Sequence, residues 1–114
     1  MARVVVVEDD YLIAMQTASI VEDAGYTVIG PEATVDATRK VLAHQKVDLA
    51  LLDINLGGEM VFPISEMLDT MDIPYIFVTS YPTVALPVEY GGRPLVQKPY
   101  MPELLVALFQ EHLR

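Results

Sequence analysis

The sequence predicts an α/β domain built on a doubly wound parallel sheet of five strands in the order 2-1-3-4-5. Two observations carry this. Short apolar runs recur along the chain, the clearest being Val4-Val5-Val6-Val7, Val47-Asp48-Leu49-Ala50-Leu51-Leu52 and Tyr75-Ile76-Phe77-Val78, and runs of this kind suit strands buried on both faces. Between them lie longer stretches with apolar residues at helical spacing, and strands alternating with helices imply parallel pairing with right-handed crossovers. The length of 114 residues suits one domain.

Val4–Val7 is the first strand. Asp9 or Asp10 can cap the helix after it, whose apolar residues Leu12, Ile13, Ala14, Thr17, Ala18, Ile20, Val21 and Ala24 predict one broad buried face, stopped by Gly25. Tyr26–Ile29 is the second strand, closed by Gly30-Pro31. Thr34 caps a second helix reaching about His44, with Val35, Thr38, Val41 and Leu42 as its core stripe. Val47–Leu52 is the third strand. A third helix runs from about Val61 to Met71 with Ile64, Met67, Leu68 and Met71 inward, and Pro63 sits in its first turn, where a missing N–H does little harm. Tyr75–Val78 is the fourth strand and Leu95–Gln97 the fifth. The last helix, about Met101 to Leu113, places Leu104, Leu105, Leu108 and Phe109 inward. Between strands four and five, Pro82, Pro87, Pro94 and Gly91-Gly92 break the segment 81–94. A fourth helix there is expected to be short or disordered, and long irregular segments in compact domains are often functional.

Composition excludes several classes. Sixteen acidic residues against seven Lys+Arg give a formal net charge of −9, which repels nucleic acid. No apolar run nears the ~20 residues that span a bilayer, and the N-terminal stretch lacks a signal-peptide pattern. There are no cysteines, so disulfides and thiolate metal sites are excluded. A cytoplasmic protein is the expectation.

The chemistry gathers at strand ends. Asp53 follows the third strand, Glu8-Asp9 the first, Thr79 the fourth and Lys98-Pro99 the fifth, and sites of doubly wound sheets lie at the carboxyl ends of their strands. Carboxylates so close repel one another, a divalent cation relieves them, and oxygen donors favour Mg²⁺ or Mn²⁺ over Zn²⁺. An ammonium group and a hydroxyl add what a phosphoryl group in transfer requires, and an aspartate carboxylate is a competent nucleophile toward phosphorus. Asp53-x-Asn55-x-Gly57-Gly58 imitates a calcium loop, but Ile64 stands where that loop needs Glu and a strand precedes it instead of a helix. An aspartate-nucleophile phosphatase would need an acid at Asn55, and no GxxxxGK[ST] loop is present. Taken singly, each residue has a plainer reading: the acids of Glu8-Asp9-Asp10 as a solvated helix start, Thr79 as a strand end, Lys98 as a surface charge. His44 and His112 read as surface residues.

With Glu8-Asp9, Asp53, Thr79 and Lys98-Pro99 in this order, the chain from Val4 to about Leu113 resembles the receiver domains of two-component response regulators, a flavodoxin-like family. The resemblance implies that Asp53 accepts a phosphoryl group from a histidine kinase or phosphotransfer protein. It implies Mg²⁺, with Mn²⁺ as the alternative, held by the side chains of Asp9 and Asp53, the backbone carbonyl of Asn55 and, through water, Glu8. Lys98 would pair with the phosphoryl group, Thr79 would hydrogen-bond it, and the Lys98–Pro99 bond would be cis. The domain would promote its own phosphorylation and slow dephosphorylation without being an enzyme acting on other substrates.

Two departures stand out. Receivers commonly carry an aromatic three residues before the lysine, where this chain has Leu95. Phe77-Val78-Thr79-Ser80-Tyr81 partly matches the Phe-Ala-Thr-Gly pattern of the "FAT GUY" group of receivers, with Val78 for alanine and Ser80 for glycine. That group implies a poorly formed fourth helix, kinases of the HWE and related classes, and action without an output domain. The expectation is therefore a receiver over 1–114 that signals to a downstream protein, as a monomer or a phosphorylation-dependent dimer. Its alternatives are a phosphate sink or shuttle for a shared kinase, and a fragment of a longer transcriptional regulator.

Overall fold

The computed structural model describes residues 2–80, 90, 92–98 and 101–113. In chain order it holds β1 (Arg3–Val7), α1 (Tyr11–Asp23), β2 (Thr27–Glu32), α2 (Val35–His44), β3 (Leu49–Asp53), β4 (Asn55–Leu56), β5 (Glu59–Met60), α3 (Phe62–Thr70), β6 (Tyr75–Thr79), β7 (Leu95–Gln97) and α4 (Pro102–His112). The main sheet is parallel throughout, in the order β2-β1-β3-β6-β7. With the small antiparallel β4–β5 hairpin set aside, this is the predicted 2-1-3-4-5 arrangement.

Side-chain alternation sends successive strand residues to opposite faces, so each central strand serves two cores. Val5, Val7, Ala50, Leu52 and Phe77 pack with Val35 and Leu42 of α2 and Ile64 and Leu68 of α3. Val4, Val6, Leu49, Leu51, Ile76 and Val96 pack with Val21 of α1 and Leu105 and Phe109 of α4. Burial on both faces explains why these strands read as unbroken apolar runs.

The predicted caps form. Asp10 accepts from the Ile13 N–H at 3.2 Å, and Thr34 accepts from the Ala37 N–H at 3.1 Å. Gly25 follows α1 with φ +96°, a conformation that costs a side-chain-bearing residue more.

Several expectations need correction. β2 does not close at Gly30-Pro31 but continues through it to Glu32, with a register shift against β1 between Val5 and Val7. A Cβ at Gly30, which has φ +92°, would lie 2.8 Å from the Glu32 nitrogen, so only glycine fits this bulge. The third strand starts at Leu49 and includes Asp53. Leu12 is 72% exposed, Leu104 50% and Met71 41%, so none of them faces inward. Leu12 and Leu104 lie in the first turns of their helices, and Met71 lies just beyond the end of α3. The β4–β5 hairpin was not foreseen. The Lys98–Pro99 bond and most of segment 81–94, including the question of a fourth helix there, lie outside the described residues.

Candidate phosphoryl-transfer site

Parallel register brings the strand ends together. Asp53 on β3 pairs with Val78 on β6, and Thr79 pairs with Gln97 on β7, so Lys98 leaves the sheet beside Thr79. The Lys98 N–H donates to the Thr79 carbonyl at 2.6 Å. On the other side, the Glu8 N–H donates to the Glu32 carbonyl at 2.9 Å, so the continuation of β2 past Gly30-Pro31 anchors the first acid of the site.

The side chains converge at this edge. The Lys98 ammonium forms an ion pair with Glu8 Oε1 and a second with Asp53 Oδ2 at 3.4 Å. Glu8, Asp53 and Thr79 are buried, whereas Asp9 is exposed. One oxygen from each of Glu8, Asp9 and Asp53 can be chosen so that all lie within 4.8 Å of one another. Asn55 donates its N–H to Asp53 Oδ1 at 3.4 Å, while its own Oδ1 accepts from the Gly58 N–H at 2.6 Å and is committed to the hairpin turn. These groups line a cleft of about 640 Å³ that also includes Gly57, Met60, Phe62 and Ser80. A neighbouring cleft of about 720 Å³ runs beside α1 and shares Lys98 and Ser80, and among the described residues none of its lining side chains is a carboxylate.

Charge crowding marks Asp53. Burial, followed by the hydrogen bond and charge of Glu8, raises its pKa to about 7, against the pull of Lys98. Burial also acts to raise Glu8, but its hydrogen bonds with Asp53 and Lys98 and the Lys98 charge outweigh it and hold the group below its ordinary value. Burial disfavours the charged form of Lys98, yet its hydrogen bond to Glu8 and the nearby Asp53 charge leave its pKa raised. Two carboxylates thus share one cation and, near neutrality, a proton on Asp53. The donors are all oxygen and carry excess negative charge, which fits a hard divalent cation.

The structure therefore gathers Glu8, Asp9, Asp53, Asn55, Thr79 and Lys98 in one cleft. It adds residues that the sequence did not single out. A Cβ on Gly57, at φ +68°, would stand 3.3 Å from Asp9 Oδ2, and the Gly-Gly pair is the sequence signal of a two-residue hairpin turn. Met60 and Phe62 form an apolar rim with no chemical signature. Leu95 is exposed on β7. Tyr90 is buried instead, its ring stacked on Phe62 at 5.3 Å and edge-on to Phe77 at 5.7 Å.

Comparisons with known proteins bear on the family and the fold. A family model described as the response regulator receiver domain matches residues 4–110. The Phyllosphere-induced regulator PhyR of Methylorubrum extorquens is 33% identical, over 97% of this chain and 43% of its own length. The chain spans under half the length of the curated relatives it matches, the Bacillus subtilis transcriptional regulatory protein YvrH among them at 27% identity and 49% of its length. Among solved structures, SdrG from Sphingomonas melonis Fr1 superposes with a TM-score of 0.87 at 30% identity, covering 100% of this chain and 98% of that one. The receiver domain of PhyR from Erythrobacter litoralis gives 0.86 at 30% identity, with 98% and 89% covered. Among the described residues, no helix is long and apolar enough to cross a membrane.

Proposed function

This chain belongs to the response regulator receiver domain family, and from that premise we propose that it is a phosphoacceptor whose nucleophile is Asp53. The observation that carries the reading is the meeting of the Lys98 ammonium with the Glu8 and Asp53 carboxylates in a cleft that also holds Asp9 and Thr79.

A carboxylate oxygen of Asp53 attacks the phosphorus of a phosphohistidine on a histidine kinase or phosphotransfer protein. The new O–P bond forms as the P–N bond breaks, and the imidazole nitrogen keeps the electron pair. Lys98 exchanges part of its contact with Asp53 for the phosphoryl oxygens, and the Thr79 hydroxyl donates to one of them. Hydrolysis reverses the modification: water attacks phosphorus, the Asp53 O–P bond breaks, and the carboxylate returns as inorganic phosphate leaves. Asp9, Asp53 and the Asn55 carbonyl would hold Mg²⁺, with Glu8 reaching it through water. When bound, the cation would supply charge neutralisation that favours the ionised form of Asp53 and would screen the incoming phosphoryl group from the carboxylates.

The phosphoryl donor is read as a histidine kinase, of the HWE and related classes, or a phosphotransfer protein, and the output as contact with a downstream protein. Similarity to the receiver domain of the PhyR response regulator supports the response-regulator setting, while the kinase class rests on the Phe77–Tyr81 resemblance alone. The test is incubation with acetyl phosphate and Mg²⁺, followed by intact mass spectrometry. One added phosphoryl group is expected, lost with Asp53→Ala and with EDTA. Modification that survives Asp53→Ala would sink the assignment.

A further inference from the structure

The hairpin Asn55-Leu56-Gly57-Gly58-Glu59-Met60 forms one wall of the cleft. Its inner side faces the acids: the Asn55 N–H meets Asp53, and Gly57 lies against Asp9. Leu56 is buried in the same core as Val35, Ile54 and Val61. A two-stranded hairpin this short is marginal by itself, so its position depends on what holds it from outside.

Directly across the ladder from Leu56 stands Glu59. Its Oε1 accepts the backbone N–H of Val35, the first residue of α2, at 3.2 Å. That N–H has no partner within the helix, so an acceptor oxygen there satisfies a donor the helix leaves open. The Thr34 side chain serves a different donor, the Ala37 N–H. The two contacts at this helix start therefore do separate jobs: Thr34 caps α2, and Glu59 ties the hairpin to it.

We infer that Glu59 is a positioning residue for the cation site. It touches no reacting group. By clipping the hairpin to α2, it sets how far the Asn55 backbone stands from Asp53 and Asp9. The inference rests on the phosphoacceptor reading above, in which the Asn55 carbonyl holds Mg²⁺.

The test compares Mg²⁺ affinity by calorimetry, and phosphorylation by acetyl phosphate, across the wild type, Glu59→Ala, Glu59→Gln and Thr34→Ala. Glu59→Ala should weaken Mg²⁺ about tenfold, at the low end of what outer-shell partners cost, with the phosphorylation rate recovering at saturating Mg²⁺. Glu59→Gln keeps the acceptor oxygen and should stay near wild type. Thr34→Ala should lower the melting temperature without moving Mg²⁺ affinity. The inference is overturned if Glu59→Ala binds Mg²⁺ as the wild type does. It is equally overturned if Glu59→Gln falls as far as Glu59→Ala, which would make charge the cause, or if Thr34→Ala matches the loss, which would make α2 stability the cause. A wild type that binds no Mg²⁺ would overturn the site reading and this inference together.

Discussion

Replacing Asp53 with Asn should make the metal-free protein more stable at pH 8. In the folded chain, burial and the Glu8 carboxylate raise Asp53 from 3.8 to about 7, so between those values the folded state binds a proton that the unfolded state does not. Stability from this group is therefore complete below about pH 4 and is lost as pH rises toward 7. A displacement of that size corresponds to about 4 kcal/mol between the two protonation states. Asparagine removes the charge but also the ion pair with Lys98, so a net gain of about 2 kcal/mol is expected at pH 8, fading near pH 4. Glu8 works in the opposite sense. Its pKa is lowered in the fold, so its contribution is present above its ordinary 4.5 and is lost as pH falls. The Lys98 part of that contribution survives the mutation, while the part from the Asp53 hydrogen bond changes with it, so the difference between the two proteins reports Asp53 together with its bond to Glu8. Urea denaturation in EDTA at several pH values measures it. Added Mg²⁺ should stabilise the wild type at pH 8 and the variant far less. A variant less stable than wild type at pH 8, or a difference that does not change with pH, would refute the argument.

Three further outcomes follow from the same structure. Lys98→Met leaves two buried carboxylates without their cation and should cost about 3 kcal/mol at pH 8; the loss should shrink at pH 5, where Asp53 holds its proton, and urea melts at both pH values check this. Gly57→Ala places a Cβ at φ +68° and 3.3 Å from Asp9, so it should cost about 1 kcal/mol and weaken Mg²⁺ binding measured by calorimetry. Tyr75→Phe removes the hydroxyl that donates to Asp69 at 3.0 Å. It should cost about 1 kcal/mol in thermal unfolding and leave phosphorylation unchanged, because that contact lies with Arg93 and α3, away from the cleft.

Much of the architecture was legible because the strands are buried on both faces. Val4–Val7 and Tyr75–Val78 carry no alternation to confuse with a helix, and Asp10, Thr34 and Gly25 mark helix ends by their own chemistry. Strand ends were legible as chemistry for a related reason: Glu8, Asp53 and Thr79 are polar residues directly after apolar runs, and Lys98 follows the short strand Leu95–Gln97. Other features depend on tertiary fit. Gly30-Pro31 looks like a stop, yet a bulge against β1 carries the strand past it to Glu32, and no local preference reveals the pairing partner. Leu12, Leu104 and Met71 satisfy helical spacing, but each lies at a helix end, where periodicity does not show which side chains the core covers. The hairpin was signalled by Gly57-Gly58 alone, with only two residues on each arm, too short for a strand pattern. Glu59 gave no signal, because its partner is a backbone N–H distant in sequence. The replacement of the usual aromatic by Leu95 was visible in the sequence, whereas the packing of Tyr90 between Phe62 and Phe77 required the fold.

The central claim is that Asp53 receives the phosphoryl group. Its most direct test is phosphotransfer from a phosphorylated histidine kinase, followed by peptide mapping of the modified residue. The account predicts an acyl phosphate on Asp53, labile to hydroxylamine, dependent on Mg²⁺ and absent from Asp53→Ala. A stable phosphoester on Thr79 or Ser80, or transfer undiminished in Asp53→Ala, would contradict it.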